Sequence, residues 1–141
     1  MRILRYHLKG YMPRFVVHEH HATRLHWDFR LEYAGVLKSW AVPKGPSMDP
    51  ADRRLAIQVE DHALAYGNFE GVIPVGEYGA GEVSIWDQGT YEPLGDLGEG
   101  LQRGHIAFVL HGSRLTGEFA LVRFRKGTSR GNEWLMFRKQ G

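Results

Sequence analysis

Residues 25–32, which read Leu-His-Trp-Asp-Phe-Arg-Leu-Glu, alternate strictly between apolar and polar side chains. Because side chains two residues apart share one face of a β-strand, this pattern predicts a strand with one face in a core. The opposite face then carries His26, Asp28, Arg30 and Glu32. A solvated strand face more often carries Lys, Glu, Thr or Ser. The row of imidazole, carboxylate and guanidinium therefore indicates a functional site as readily as a half-buried strand that faces water.

The rest of the chain shows further strand-sized patterns separated by turn signals. Short strands are predicted at residues 14–19, 36–42, 53–62, 82–86, 105–110, 117–124 and 133–138. Turns or loops are predicted at 43–46, 68–81, 87–89 and 111–116, with one helical turn at 47–52. No long helical period appears. Residues 1–141 are therefore predicted to form a single all-β domain, a small closed or partly closed barrel of about eight strands with one or two short helical turns. The polar strand faces favour a site at the mouth of this barrel.

The composition limits the chemistry that the chain can perform. None of the 141 residues is cysteine, which excludes disulfides, zinc–thiolate sites and a cysteine nucleophile. A metal ion must therefore be held by carboxylates and by members of the set of eight histidines. No apolar run is long enough to span a membrane and no signal peptide is visible, so we expect a cytoplasmic protein without a membrane partner.

The basic residues are unevenly placed, although the formal net charge is only +2. Residues 55–102 contain no Lys or Arg, so all 18 basic residues lie in the two flanking segments. If the two ends meet in the fold, they could form one basic surface for a polyanion. The alternative is that these charges are scattered over a solvated surface.

Two histidines and one carboxylate near the first strands form a candidate metal site. His20, His26 and Asp28 match a common ligand set for a divalent cation, one that suits Mn²⁺ or Fe²⁺ better than Zn²⁺. Arg30 follows on the same strand face, where its guanidinium could bind two oxygens of a metal-bound phosphate. His62, at the end of another predicted strand, could donate a proton or bind the transferring oxygens; a purely structural histidine is the alternative.

Several linked runs resemble the 3′-phosphoesterase domain of bacterial DNA ligase D and its stand-alone relatives. They are residues 14–32, 36–47, 60–62 and 69–79. The resemblance implies a β-barrel enzyme that uses Mn²⁺, or another divalent cation, to heal DNA 3′ ends during non-homologous end joining. It implies removal of a 3′-phosphate, and of a terminal ribonucleoside before it, from DNA or RNA-tipped primer-template ends. A separate DNA ligase or polymerase acting in trans is the partner it implies.

The same resemblance assigns roles to individual residues. It implies metal ligands at His20, His26 and Asp28, and phosphate contacts at Arg30, His62 and Tyr66. It ties two basic residues to activity and one acidic residue to nucleoside removal: Lys44, Arg54 and Glu60. On a straight strand Arg54 and His62 would lie roughly 26 Å apart, so they can share one phosphate only if the strand bends sharply. Otherwise Arg54 acts on a neighbouring phosphate.

Two other classes of protein fit part of the pattern. A non-haem iron dioxygenase would use His26 and Asp28 with a distal histidine, either His105 or His111. A non-catalytic nucleic-acid-binding barrel would keep the histidines as structural residues. Oxygen uptake would reveal the first, and binding to primer ends without a metal-dependent product would support the second.

Overall fold

Nine β-strands, one 3₁₀-helix and one α-helix form the part of the chain that the computed structural model describes, residues 12–125 and 130–140. The first four strands are β1 (Arg14–His21), β2 (Leu25–Tyr33), β3 (Val36–Val42) and β4 (Arg54–Ala63). The 3₁₀-helix (Leu64–Asn68), β5 (Gly71–Ile73), β6 (Gly81–Leu94) and the helix α1 (Leu97–Arg103) follow. The last three strands are β7 (His105–His111), β8 (Thr116–Arg123) and β9 (Glu133–Arg138).

Eight of these strands close into an antiparallel barrel. Their order is β1-β2-β3-β4-β9-β8-β7-β6, and pairing between β6 and β1 closes the ring. β6 is long enough to serve two partners, because residues 82–90 pair with β1 and residues 90–94 pair with β7. β5 extends the sheet outside the ring by pairing with residues 81–83 of β6. The predicted all-β barrel is confirmed.

The barrel interior is filled by apolar side chains from alternate positions of the strands. Phe29 stacks on Phe108 with ring centroids 5.7 Å apart, and Trp40 meets Trp134 edge to face. Each large buried side chain contributes roughly 1.5–3 kcal/mol of hydrophobic stabilisation. Since Phe29 and Leu31 face this core, Asp28 and Arg30 must lie on the outer face of the barrel wall. The predicted position at the mouth of the barrel is therefore wrong.

The predicted turn at residues 87–89 is also wrong, because β6 runs straight through it. The turn signal marks a β-bulge instead: Ile85 and Asp87 oppose consecutive residues of β1. The Asp87 carboxylate accepts three backbone N–H groups of the β7–β8 turn, from Ser113, Arg114 and Leu115. Gly89 lies against the His111 carbonyl, where a Cβ atom would overlap backbone.

Two short local elements also differ from the sequence prediction. Helix α1 was not predicted, because seven residues give too little period for a helical pattern. Its ends carry standard signals: Asp96 accepts a hydrogen bond from the backbone N–H of Glu99, and Gly104 ends the helix with φ of 85°. The predicted helical turn at 47–52 is a simple turn closed by a bond from the Asp52 N–H to the Asp49 carbonyl.

Part of the proposed basic surface falls outside the described residues, namely Arg2, Arg5, Lys9 and Lys126. Arg14 lies within them, and its guanidinium bonds to Asn68, the Gly67 carbonyl and Gln88. Neither helix in the described ranges has the length or apolar character needed to cross a bilayer.

Candidate active site

A cavity of about 630 Å³ lies on the outer wall of the barrel, over β1 to β4. The wall contributes alternate residues of these strands, and the segment from the 3₁₀-helix to the start of β6 covers it from above. The polar and ionisable side chains that line it are His20, His26, Asp28, Arg30, His62, Tyr66, Glu77 and Tyr78. Six of the nine residues predicted from sequence or resemblance to form the site therefore line this cavity.

The three predicted metal ligands converge at this cavity. His20 and His26 are direct partners in the β1–β2 register, and Asp28 follows two residues later on the same face. Asp28 Oδ2 lies 3.5 Å from His20 Nδ1, and Asp28 Oδ1 lies 3.1 Å from His26 Nε2. Each residue offers one ligand atom, and the three atoms lie within 4.8 Å of one another. Ligand atoms bound to one such ion are up to about 4.4 Å apart, so small side-chain movements suffice to hold it.

Backbone carbonyls contact the nitrogen of each histidine ring that points away from Asp28. His20 Nε2 lies 2.9 Å from the Gly79 carbonyl and 3.0 Å from that of Ala80, so it carries the proton and donates. His26 Nδ1 lies 3.2 Å from the Arg24 carbonyl, which fixes its proton in the same way. When each ring is neutral, the nitrogen facing Asp28 therefore has the lone pair, and a bound cation would take the place of the proton that His26 shares with Asp28. Such second contacts fix the tautomer of metal-binding histidines.

The charges of the cluster suit a cation site. Burial alone would raise the pKa of Asp28, but the hydrogen bond from His26 and the charge of Arg30 outweigh it and lower this pKa below its usual value. The hydrogen bond to Asp28 raises the pKa of His26. Asp28 is therefore ionised at neutral pH, and a negative charge sits where a cation would bind.

Arg30 is held rigidly beside this cluster, with only 3% of its surface exposed. Its Nε donates to His18 Nδ1 at 3.0 Å, and its Nη1 donates to Ser39 Oγ at 2.8 Å. Its Nη2 lies 3.5 Å from Asp28 Oδ2, and Nη1 lies 3.1 Å from His62 Nδ1. Two of its nitrogens are thus fixed by the barrel wall, which orients the guanidinium fork toward the cavity.

His18 is a site residue that sequence reasoning missed. It is fully buried, and because its Nδ1 accepts from Arg30, its Nε2–H must donate to the Phe69 carbonyl, 3.1 Å away. Burial, with the Arg30 charge next, lowers the pKa of His18 to about 4. The signal was present, because His18 lies two residues before His20 and therefore shares its strand face.

We expect His18 to remain neutral, with the proton on Nε2, until the pH falls to about 4. The unfolded chain takes up this proton near pH 6.5, so the contribution of His18 to the unfolding free energy is complete above that pH. It is lost as the pH falls from 6.5 toward 4, because the unfolded state then binds more protons. Nitrogen-15 NMR of the imidazole measures both the tautomer and the titration. A midpoint near 6.5 in the folded protein would contradict this account.

His62 reaches the cavity because β4 contains a β-bulge. Ser39 pairs with Val59 but Leu37 pairs with His62, so β4 carries one extra residue between these pairs. Val59 and His62 therefore both line the cavity although they are three residues apart. Burial, assisted by the charge of Arg30, lowers the pKa of His62.

Tyr66, on the 3₁₀-helix, covers Arg30, His18 and His62. Its ring centroid lies 5.0 Å from the Arg30 guanidinium carbon, 5.1 Å from the His18 ring and 5.0 Å from the His62 ring. The ring also stacks on Phe69 at 5.3 Å. A cation over an aromatic face is attracted by its quadrupole, so Tyr66 helps to hold Arg30 in place.

The remaining predicted residues do not line the cavity, which is defined by described residues alone. Arg54 lies at the far end of β4, where it bonds to Asp52 and contacts the Lys44 carbonyl at 3.5 Å. The structure therefore does not bring Arg54 and His62 together, as their separation in the sequence suggested. Glu60 is exposed, and its carboxylate, after burial, helps to raise the pKa of the Tyr78 hydroxyl. The activity-related roles of Lys44, Arg54 and Glu60 stay predictions.

The distal histidine of a dioxygenase triad is also not at this cavity. His105 and His111 are exposed residues at the two ends of β7, and neither is among the described residues that line the cavity. His111 Nε2 instead pairs with Glu92 at 2.7 Å.

The fold and site together define a small antiparallel β-barrel with a His-His-Asp cluster and an immobilised arginine on its outer wall. Residues 18–123 match the family described as the DNA Ligase D 3′-phosphoesterase domain. The chain belongs to this family, as the sequence motifs predicted.

Curated relatives carry the same domain within longer chains. The multifunctional non-homologous end joining protein LigD of Pseudomonas aeruginosa is 59% identical over 110 residues, which is 78% of this chain and 13% of that protein. The LigD proteins of Mycobacterium bovis and Mycolicibacterium smegmatis are 49% and 44% identical over 88% and 92% of this chain. The chain spans 16% and 17% of the length of these two relatives.

Proposed function

We propose that this chain is a manganese-dependent phosphoesterase that removes the phosphate from a nucleic-acid 3′ end and leaves a 3′-hydroxyl. The observation that carries the proposal is the contact between the His20-His26-Asp28 cluster and Arg30 on one cavity wall. A divalent cation and a guanidinium fork side by side form a site for a phosphate with two neighbouring oxygens. The family match supports the same reaction.

The cation would be held by His20 Nδ1, His26 Nε2 and an Asp28 oxygen. When bound, it lowers the pKa of a coordinated water and neutralises charge on the phosphate. Two imidazoles with one carboxylate suit Mn²⁺, and other divalent cations of similar preference are expected to substitute in part.

The protein side chains position the phosphate and receive the leaving group. Arg30 holds the phosphate oxygens, since its other contacts fix the orientation of its fork. His62 and Tyr66 enclose the same phosphate from the covering side of the cavity. As water attacks phosphorus and the bond to the 3′-oxygen breaks, that oxygen requires a proton, and His62 is the group that we assign to supply or share it.

The biological setting that we propose is the healing of broken DNA ends. The relatives are named for non-homologous end joining, in which a ligase requires a 3′-hydroxyl. A DNA ligase or polymerase is the partner that would use the product. Removal of a terminal ribonucleoside is the second activity that we propose, and we assign it to Glu60, which follows the cavity-lining Val59 on β4.

A manganese titration on two matched primers tests the function. Both primers are recessed on the same duplex, one ending in a 3′-phosphate and the other in a ribonucleotide. We expect manganese-dependent conversion of the first to a 3′-hydroxyl, and of the second to a 3′-phosphate and then a 3′-hydroxyl. If manganese produces neither product, the proposal is wrong; if only the first appears, the ribonucleoside activity is rejected.

A further inference from the structure

A loop next to the metal cluster carries exposed apolar side chains that the proposed reaction does not use. Residues 74–80 form two successive turns, closed by bonds from the Glu77 N–H to the Pro74 carbonyl and from the Ala80 N–H to the Glu77 carbonyl. Val75 is 98% exposed and Tyr78 is 75% exposed. Tyr78 nevertheless lines the cavity, so its ring stands at the opening with most of its surface free.

The backbone holds this ring at a fixed place relative to the metal cluster. The carbonyls of Gly79 and Ala80, the next two residues, both accept from His20 Nε2. Burial first, and then the nearby Glu60 carboxylate of β4, raises the pKa of the Tyr78 hydroxyl. The backbone next to Tyr78 is therefore anchored to His20, its hydroxyl lies near Glu60 of β4, and its ring remains largely exposed.

The negative charge on the loop side of the cavity is unfavourable for binding the phosphate backbone of a nucleic acid. Residues 55–102, which include the loop, contain no Lys or Arg; Glu77 lines the cavity, and Glu60 is near enough to Tyr78 to affect its pKa. Backbone phosphates would be repelled here, whereas the uncharged face of a nucleobase would not. Aromatic side chains stack on every base, and this contact is tolerant of sequence.

We propose that the ring of Tyr78 stacks on the nucleobase of the 3′-terminal nucleotide whose phosphate is bound by Arg30 and the metal cluster. This inference rests on the proposed function and adds the element that recognises the nucleoside. With the phosphate fixed at the cavity floor, the attached nucleoside must leave through the opening where Tyr78 stands. Stacking there makes the site accept any of the four bases while preferring a terminal nucleotide that has a base.

The test compares two primers that differ in one base. Both end in a 3′-phosphate, but one terminal nucleotide carries adenine and the other is abasic. Tyr78→Ala is expected to raise KM for the adenine primer by roughly 10-fold or more, with about the wild-type KM for the abasic primer. Tyr78→Phe, which keeps the ring, is expected to restore the preference. Val72→Ala serves as the matched control, because Val72 is exposed on β5 and is not among the described residues lining the cavity.

Manganese binding by calorimetry separates stacking from damage to the loop. If Tyr78→Ala weakens manganese binding, Tyr78→Leu replaces it in the same comparison. An equal rise of KM on both primers, or no rise on either, overturns the inference, and the second result leaves the ring free for a protein partner.

A binding assay keeps the inference separate from the proposed function. A primer with 2-aminopurine as its terminal base is titrated with the protein in the absence of manganese. Quenching of its fluorescence by the wild type and by Tyr78→Phe, but not by Tyr78→Ala, supports stacking whether or not phosphate is released. Absence of phosphate release by the wild type on any primer overturns the function instead. Equal fluorescence with all three proteins overturns the stacking.

Discussion

Replacement of Asp28 by asparagine is expected to abolish manganese-dependent phosphate release. Asparagine keeps the shape of the side chain and can still bond to His26, but it removes the charge that faces the cation. The loss should exceed the roughly 10- to 100-fold that removal of a mere outer-shell partner costs. Phosphate release and manganese affinity by calorimetry should fall together, because the defect lies in the ligand set.

His111→Ala is the matched control for this experiment. His111 is also paired with a carboxylate, that of Glu92, but at an exposed position of β7. We expect it to keep both manganese binding and phosphate release. Circular dichroism should show an intact barrel for both variants, since Asp28 lies on the wall face opposite the apolar core. Undiminished phosphate release by Asp28→Asn would remove this carboxylate from the ligand set.

The convergence of His20, His26 and Asp28 could be predicted from sequence because its geometry is local. His20, His26 and Asp28 belong to two strands joined by a short connection, and a two-residue period is enough to place them on one face. Arg30 follows from the same period. The location of the site on the barrel was predicted incorrectly. Alternation separates the two faces of a strand, but it does not show that the polar face lies on the outside of the closed barrel rather than at its mouth.

The covering side of the cavity could not be derived from the pattern of residues, because long-range contacts place it. His62 faces the cavity through a β-bulge that depends on pairing with Leu37 and Ser39, and nothing in residues 60–62 reveals the extra residue. Tyr66 was reached through resemblance alone, since a five-residue 3₁₀-helix has no readable period. Tyr78 lies in a glycine-rich segment whose turns were predicted without their orientation.

The hydrogen bonds that fix Arg30 could be predicted from the sequence only in part. Its acceptors are His18 on β1 and Ser39 on β3, the strands that flank β2 on either side. A strand-by-strand analysis places each of them on the outer face, but only the register shows that both bond to the same guanidinium. The register therefore gives an ordinary strand arginine a guanidinium with a fixed orientation.

Replacement of Arg30 by lysine should accordingly lower kcat for phosphate release by roughly 10²–10³-fold, the cost of losing one preorganised donor to developing charge. Lysine keeps the positive charge but cannot reach His18, Ser39 and the phosphate at once, because it lacks the planar fork. Manganese affinity should change little, since the ligand atoms of His20, His26 and Asp28 remain. Rapid-quench measurement of phosphate release, together with calorimetric manganese titration, separates the two effects.

Arg14→Lys provides the control for the Arg30 experiment. Arg14 is also a strand arginine with three side-chain bonds, but its partners Asn68, the Gly67 carbonyl and Gln88 are not among the described cavity-lining residues. It should therefore keep the wild-type kcat even if its thermal stability falls. If Arg30→Lys retained the wild-type kcat while binding manganese normally, Arg30 would not be a phosphate ligand. The reaction would then have to rely on the metal cluster, His62 and Tyr66 to hold the phosphoryl oxygens.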